Sequence, residues 1–290
     1  MDGLYVASVT PFDKNDKINH NTLETLIRRN INEGAAGFFV SGSSAECFLL
    51  TEAERISILE TTGSFTGETC IIAHIGATST SEAIRYAKAA KSNGIKYIAA
   101  VFPFFYKFNN AQIVKYFYDI SASVDMPLLI YNFPVNTGRN LDITDPDIRN
   151  LLCSDIIWGI KHTDTNLSLL ERIHSLNPDL IILNGYEEIL SAGLSLGAKG
   201  AIGASFNIML PHFLKIYNAF KASDIKTMQD LQVKANNVIE ALNNEGLVAS
   251  IKSILAHQGI DAGIPRKPFT PLKNDQIEKV IKVFNENFVI

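Results

Sequence analysis

The chain has 290 residues, is 47% hydrophobic and 19% charged, and carries a formal net charge of −4. That is the composition of an ordinary globular protein, and without a basic excess neither nucleic acid nor an anionic membrane surface is an expected partner. No run approaches the roughly 18 apolar residues of a membrane span.

Taken in chain order, short apolar runs alternate with longer amphipathic ones. YVASVT (5–10) reads as a first strand. NTLETLIRRNINEG (21–34) reads as a helix, with Leu23, Leu26, Ile27 and Ile31 on one face and Gly34 as its stop. GFFVSG (37–42) is a second strand, and TEAERISILETTG (51–63) opens with a Thr cap and Glu54 in capping-box spacing. CIIAHIG (70–76) and YIAAVF (97–102) flank a helix at SEAIRYAKAAKSNG (81–94). PLLIYN (127–132), IIWGIK (156–161), LIILNG (180–185) and GAIGAS (200–205) complete eight strands. KTMQDLQVKANNVIEALNN, VASIKSILAHQG and DQIEKVIKVFNENF then read as helices.

Strands separated by helices pair in parallel, and strands apolar on both faces are covered on both. The expected fold is α/β, a (β/α)8 barrel over about residues 1–220 with a helical extension over about 221–290, together one domain of residues 1–290. An open doubly wound sheet is the rival, weakened because no GxGxxG follows the first strand. Cys47, Cys70 and Cys153 form neither a disulfide framework nor a zinc pattern. With a first segment, MDGLYVASVTPFDKND, unlike a signal peptide, a reducing cytoplasmic setting is expected.

In such a barrel the chemistry sits at the C-terminal ends of the strands. Strand six ends in Lys161, behind the apolar DIIWGI. A neutral amine there can attack a ketone and form a Schiff base, provided that desolvation by Trp158, Ile160 and neighbouring strand ends lowers its pKa. The plainer reading is a lysine snorkelling to solvent. Strand five ends in Tyr131, a proton shuttle or a rim tyrosine bonded to backbone. Strand two ends in a turn with Ser43 and Ser44, whose hydroxyls and open N–H groups suit a carboxylate, or which is only a serine-rich turn. After strand seven come Glu187 and Glu188, acceptors for sugar hydroxyls or compensation for a helix dipole. The six histidines are dispersed without HExxH, and no P-loop pattern occurs, so an aldolase or lyase without metal or cofactor is expected.

TPF (10–12), GSSAE (42–46), YNFP (131–134), GIKHT (159–163), NGYEE (184–188), IGASFNIM (202–209) and RKPFTP (266–271) together resemble the family of dihydrodipicolinate synthase and N-acetylneuraminate lyase. The resemblance runs from about Leu4 to about Leu272. It implies a Schiff base on Lys161, acid–base work by Tyr131 and carboxylate binding by Ser43 and Ser44. Thr163, Gly185, Glu187 and Glu188 would face the polyol end of a 2-oxo sugar acid, with Ser205 beside them. It also implies a homotetramer, a dimer of dimers.

Within the family the lyase branch, which cleaves sialic acid, is favoured. Synthases carry an arginine in YNxPxRTG, where this chain reads YNFPVNTG with Asn136. Ala204 stands where lyases carry a hydroxyl, Glu187 where they carry Asp, and Ala45 where glycine is usual. Phe105 stands at a relay tyrosine's place, with Tyr106 next to it as a candidate to turn inward. The alternatives are an aldolase of 2-keto-3-deoxy sugar acids, the synthase, and a non-catalytic sugar-acid sensor.

Overall fold

A computed structural model describes residues 1–288; residues 289–290 of the expected C-terminal extension lie outside it. Eight parallel strands close into a barrel in sequence order. They are β1 (Gly3–Ala7), β2 (Gly37–Val40), β3 (Cys70–His74), β4 (Tyr97–Val101), β5 (Leu128–Asn132), β6 (Ile157–His162), β7 (Ile181–Asn184) and β8 (Gly200–Gly203). Between them run α1 (His20–Glu33), α2 (Glu52–Gly63), α3 (Thr80–Ser92), α4 (Asn110–Val124), α5 (Pro134–Thr137), α6 (Pro146–Leu152), α7 (Leu167–Leu176) and α8 (Leu190–Ser195). The rival open sheet is thereby excluded. Helices α1, α2 and α3 are the barrel helices named from sequence; α5 and α6, both between β5 and β6, have only four and seven residues, too few to display an apolar period.

Local chemistry sets the boundaries as expected. Helix α1 ends where Gly34 turns left-handed at φ 100° and its N–H reaches the carbonyls of Asn30 and Ile31. Helix α2 carries the full Thr51–Glu54 capping box. Alternate strand residues divide between two cores. Leu128, Ile130 and Ile160 face the helices, whereas Tyr5, Phe39, Ile72, Leu129, Leu183 and Ile202 fill the barrel.

The seam between β8 and β1 depends on the helix that follows, α9 (Phe206–Lys221). Asn207 Nδ2 donates to Ala7 O at 2.8 Å and to Ala204 O at 2.7 Å. Pro211 cannot donate to Asn207 O, and the helix kinks at Met209. The Arg29 guanidinium donates to that freed carbonyl, and Gln258 Nε2 donates to Ile208 O at 2.9 Å. A proline kink thus becomes a point of attachment for α1 and for the C-terminal segment.

Three further helices follow: α10 (Ile225–Glu245), α11 (Leu247–His257) and α12 (Asn274–Asn287). Helix α10 satisfies the turn after β7, with Gln232 Nε2 donating to Glu187 O at 2.9 Å and Asn236 Nδ2 to Glu188 O at 3.0 Å. Among the described residues no helix is long and apolar enough to cross a membrane.

Candidate active site

The C-terminal mouth of the barrel opens into a cavity of about 370 Å³. Ser43, Ser44, Tyr131, Lys161, Thr163, Gly185, Glu187, Glu188 and Ser205 all line it. Five different βα connections therefore bring every candidate side chain to one space.

Lys161 and Tyr131 are direct neighbours across β5 and β6. Both are buried, Lys161 only 5% exposed. The Lys161 Nζ lies 4.3 Å from the centre of the Phe39 ring and 4.2 Å from that of Tyr131. Burial lowers the ammonium pKa to about 7, with Glu187 opposing the shift. A substantial fraction is therefore neutral near neutral pH. The desolvating wall is Phe39 and Tyr131, however. Ile160 points outward to the helices, and Trp158 sits at a register break low in the barrel, against Tyr97. Strict alternation from Lys161 sends Ile160 to the other face.

Burial pushes the Tyr131 phenol well above its ordinary range, so it stays protonated, and its hydroxyl lies 3.3 Å from Ser43 Oγ. Behind it His74 is fully enclosed. Its Nδ1 lies 2.9 Å from Ser41 O and its Nε2 accepts from Val101 N at 3.3 Å. Burial lowers its pKa to about 3, so the imidazole is neutral and carries its proton on Nδ1.

The residues Ser43–Ala45 form one 3-10 turn, in which Ala45 N and Glu46 N donate back to Gly42 O and Ser43 O. Among the described residues the N–H groups of Ser43 and Ser44 find no internal acceptor, and together with the two hydroxyls they make a set of anion donors. Across the cavity, Glu187 Oε1 accepts from Ser205 N at 2.8 Å and from Ser205 Oγ at 2.9 Å. Burial raises the Glu187 pKa to about 6, with Glu188 adding to the shift. Ser205 is thus engaged in orienting Glu187.

Gly185 is required by space, because a Cβ there would lie 1.9 Å from Thr163 Oγ1. That threonine hydroxyl is itself buried, near the Tyr131 phenol, on the wall of the cavity. Ala204 and Asn136 also line the cavity. Tyr106 does not turn inward. It is 67% exposed beside Phe105, which is 84% exposed.

Several lining residues escaped sequence reasoning: Ile239 and Asn243 of α10, Leu247 and Ala249 of α11, and Phe269 and Thr270 beyond. Asn243 Nδ2 donates to Glu188 Oε1 at 3.2 Å. The i, i+4 spacing of Ile239 and Asn243 puts both on one helix face, but nothing local says that this face meets a barrel mouth. Among the described residues no three His, Cys, Asp or Glu side chains gather as metal ligands.

A buried lysine beside a tyrosine, at the mouth of a (β/α)8 barrel with a serine turn whose hydroxyl reaches that tyrosine, defines a lysine-dependent aldolase architecture. The chain belongs to the dihydrodipicolinate synthetase family, whose description it matches over residues 1–287. It is 36% identical over 289 residues to N-acetylneuraminate lyase 2 of Escherichia coli O6:H1, covering 99% of this chain and 94% of that one. It is 36% identical over 290 residues to the N-acetylneuraminate lyase of Clostridium perfringens, covering 99% and 100%. Among solved structures it resembles CdNal from Clostridium difficile in complex with mannosamine, with a TM-score of 0.95 at 32% identity and 99% of each chain covered. The N-acetylneuraminate lyase of Fusobacterium nucleatum gives 0.93 at 31%, again with 99% of each covered.

Proposed function

We propose that this protein cleaves N-acetylneuraminate to N-acetylmannosamine and pyruvate through a Schiff base on Lys161. The observation that carries the reading is the buried Lys161 beside Tyr131 in the cavity that the Ser43–Ser44 turn also lines, with Ser43 Oγ 3.3 Å from the Tyr131 hydroxyl. The relatives named N-acetylneuraminate lyase support it.

The substrate carboxylate sits on Ser43 and Ser44. The neutral amine of Lys161 attacks the C2 ketone, and loss of water leaves an iminium. Tyr131 takes the C4 hydroxyl proton while passing its own to the carboxylate held at Ser43. The C3–C4 bond breaks, its electron pair moves into the iminium as an enamine, and the new aldehyde leaves as N-acetylmannosamine. Protonation at C3 and hydrolysis release pyruvate and the free lysine. Thr163, Gly185, Glu187 and Glu188 face the polyol, with Ser205 holding Glu187. The working form is a homotetramer, a dimer of dimers. The free Cys47, Cys70 and Cys153 favour a reducing, cytoplasmic setting.

Borohydride added with pyruvate tests the chemistry. A reduced pyruvyl adduct mapped to Lys161 is expected, and Lys161→Ala should lose the adduct and at least about 10³-fold in turnover. Folded protein that traps no pyruvate removes the reading and moves a non-catalytic sugar-acid sensor to the front. Ala204 in the cavity wall favours one second reading, an aldolase of a 2-keto-3-deoxy sugar acid. Comparing kcat/KM for the two substrate types decides between them. Asn136 in the wall, in place of an arginine, disfavours the synthase.

A further inference from the structure

Three of the recurring segments have no part in the chemistry above: TPF (10–12), the Glu of GSSAE (42–46) and the Arg of RKPFTP (266–271). They meet behind the Ser43–Ser44 turn. That turn is bracketed by two residues in the left-handed region, Ser41 at φ 55° and Glu46 at φ 58°. Neither is glycine, so the surroundings must hold both in place. On the barrel side, His74 Nδ1–H donates to Ser41 O at 2.9 Å. From β1's loop, Thr10 Oγ1 donates to Ala45 O at 2.7 Å.

Glu46 is held from the opposite side by the C-terminal segment. Its Oε1 accepts from Lys252 Nζ of α11 at 2.8 Å, and its Oε2 accepts from the backbone N of Arg266 at 2.6 Å. Both side chains of the ion pair are sealed, 1% exposed for Lys252 and 0% for Glu46. Lys252 also donates to Ile264 O at 3.1 Å. Arg266 in turn grips Glu54 of α2 with both terminal nitrogens at 2.8 Å. Lys252 Nζ and the Arg266 guanidinium both lie against the Phe12 ring, at 4.3 and 4.4 Å from its centre. None of these groups lines the cavity that holds Lys161.

We infer that the Glu46–Lys252 pair is a positioning device: it ties the C-terminal extension to the carboxylate turn and sets how tightly the site holds the carboxylate of a 2-oxo acid. The inference rests on the functional reading above. A buried pair of this kind adds little net stability over apolar side chains. Its retention inside the molecule is explained by the geometry that it fixes. The carboxylate selects the left-handed state of Glu46 by accepting two donors from the C-terminal segment, and with its end so fixed the preceding turn aims the N–H groups of Ser43 and Ser44 into the cavity. The aldehyde end of the site, walled by Glu187, Glu188 and α10, has no part in the tie.

The test is the reverse reaction. Half-saturating concentrations of pyruvate and of N-acetylmannosamine are measured in the wild type, in Lys252→Met and in the double variant Glu46→Gln/Lys252→Met. Removing one charge leaves its partner buried and unpaired and can unfold the chain, whereas removing both is tolerated. The double variant, its fold checked by circular dichroism and thermal melting, therefore keeps the inference open to refutation.

The pyruvate value should rise about tenfold or more, the scale of one or two lost charge-assisted hydrogen bonds. The N-acetylmannosamine value should stay within about twofold, and borohydride at saturating pyruvate should still label Lys161 fully. A folded double variant with an unchanged pyruvate value overturns the inference and leaves the functional reading intact. So does one in which both substrates and kcat shift together, the pattern of a general structural role. Wild-type protein that binds no pyruvate overturns both.

Discussion

Lys161 and Glu187 place groups of opposite sign in one cavity, and the carboxylate bears on the lysine. Desolvation lowers the lysine to about 7 while the carboxylate partly holds it up. Schiff-base formation needs the neutral amine, so the initial rate of pyruvate trapping should climb as pH passes through about 7. In Glu187→Gln the opposing charge is gone, and the midpoint of that climb should move to lower pH. A midpoint that stays put would show that the two groups do not communicate. Stability follows from the same shift. The folded protein binds fewer protons than the unfolded chain between about 7 and the ordinary lysine value of 10.5. This group therefore makes the unfolding free energy rise with pH across that window, and its cost is fully present below it. Lys161→Met should be the more stable protein at pH 7, by on the order of 1–3 kcal/mol in urea unfolding, and the gap should narrow at pH 10. A variant no more stable than the wild type would mean that the lysine is solvated.

At the level of elements, the backbone ladder that closes the barrel between β1 and β8 ends at Val6 and Gly203, and a side chain continues it. Asn207 bridges Ala7 and Ala204 across the last seam, fully buried. Asn207→Ala would remove the side-chain partner of Ala7 O and of Val9 N, whereas Ala204 O keeps the backbone N–H of residue 207, and a loss of about 1–3 kcal/mol in urea unfolding is expected. A change below about 0.5 kcal/mol, the range of ordinary surface substitutions, would mean that the seam does not need the amide. Strands and site were unequally legible in the sequence. The eight strands could be read because apolar runs bounded by Gly, Asn and Ser are local signals. Lys161, Tyr131 and the Ser43–Ser44 turn could be read because each ends such a run and the barrel's geometry converges them. The Glu46–Lys252 pair could not be read, because its partners are 206 residues apart. Asn243 escaped for the same reason: the docking of α10 over the turn at Glu187 is decided by Gln232 and Asn236, which look like ordinary polar residues of a surface helix. The outward face of Ile160 could have been read, since strand alternation alone requires it once Lys161 points inward.

On the scale of the whole molecule, four large apolar side chains of the connections between the barrel's strands stand exposed in the single chain. Phe48 is 47%, Tyr106 67%, Val135 77% and Phe105 84% exposed. Phe48 and Val135 rim a second cavity, of about 500 Å³, that shares Ser43, Tyr131 and Phe133 with the site. Phe105 combines this exposure with a φ of 78°, a left-handed backbone that a bulky residue adopts at a cost. Among the described residues Phe105 has the ring of Tyr106 beside it, itself exposed, and burial against a second copy would cover both, since apolar patches of this kind mark association surfaces. The protein should therefore sediment as a species larger than its 31.9 kDa chain at micromolar concentration. Phe105→Asp/Tyr106→Asp should shift it to a smaller one. Phe104, next to Phe105 in the chain, lines the cavity that borders Tyr131, so that shift should lower turnover without abolishing pyruvate trapping at Lys161. A wild type that sediments as a single chain, with turnover unaffected in the double variant, would assign these aromatics to some other role and leave the site complete within one subunit.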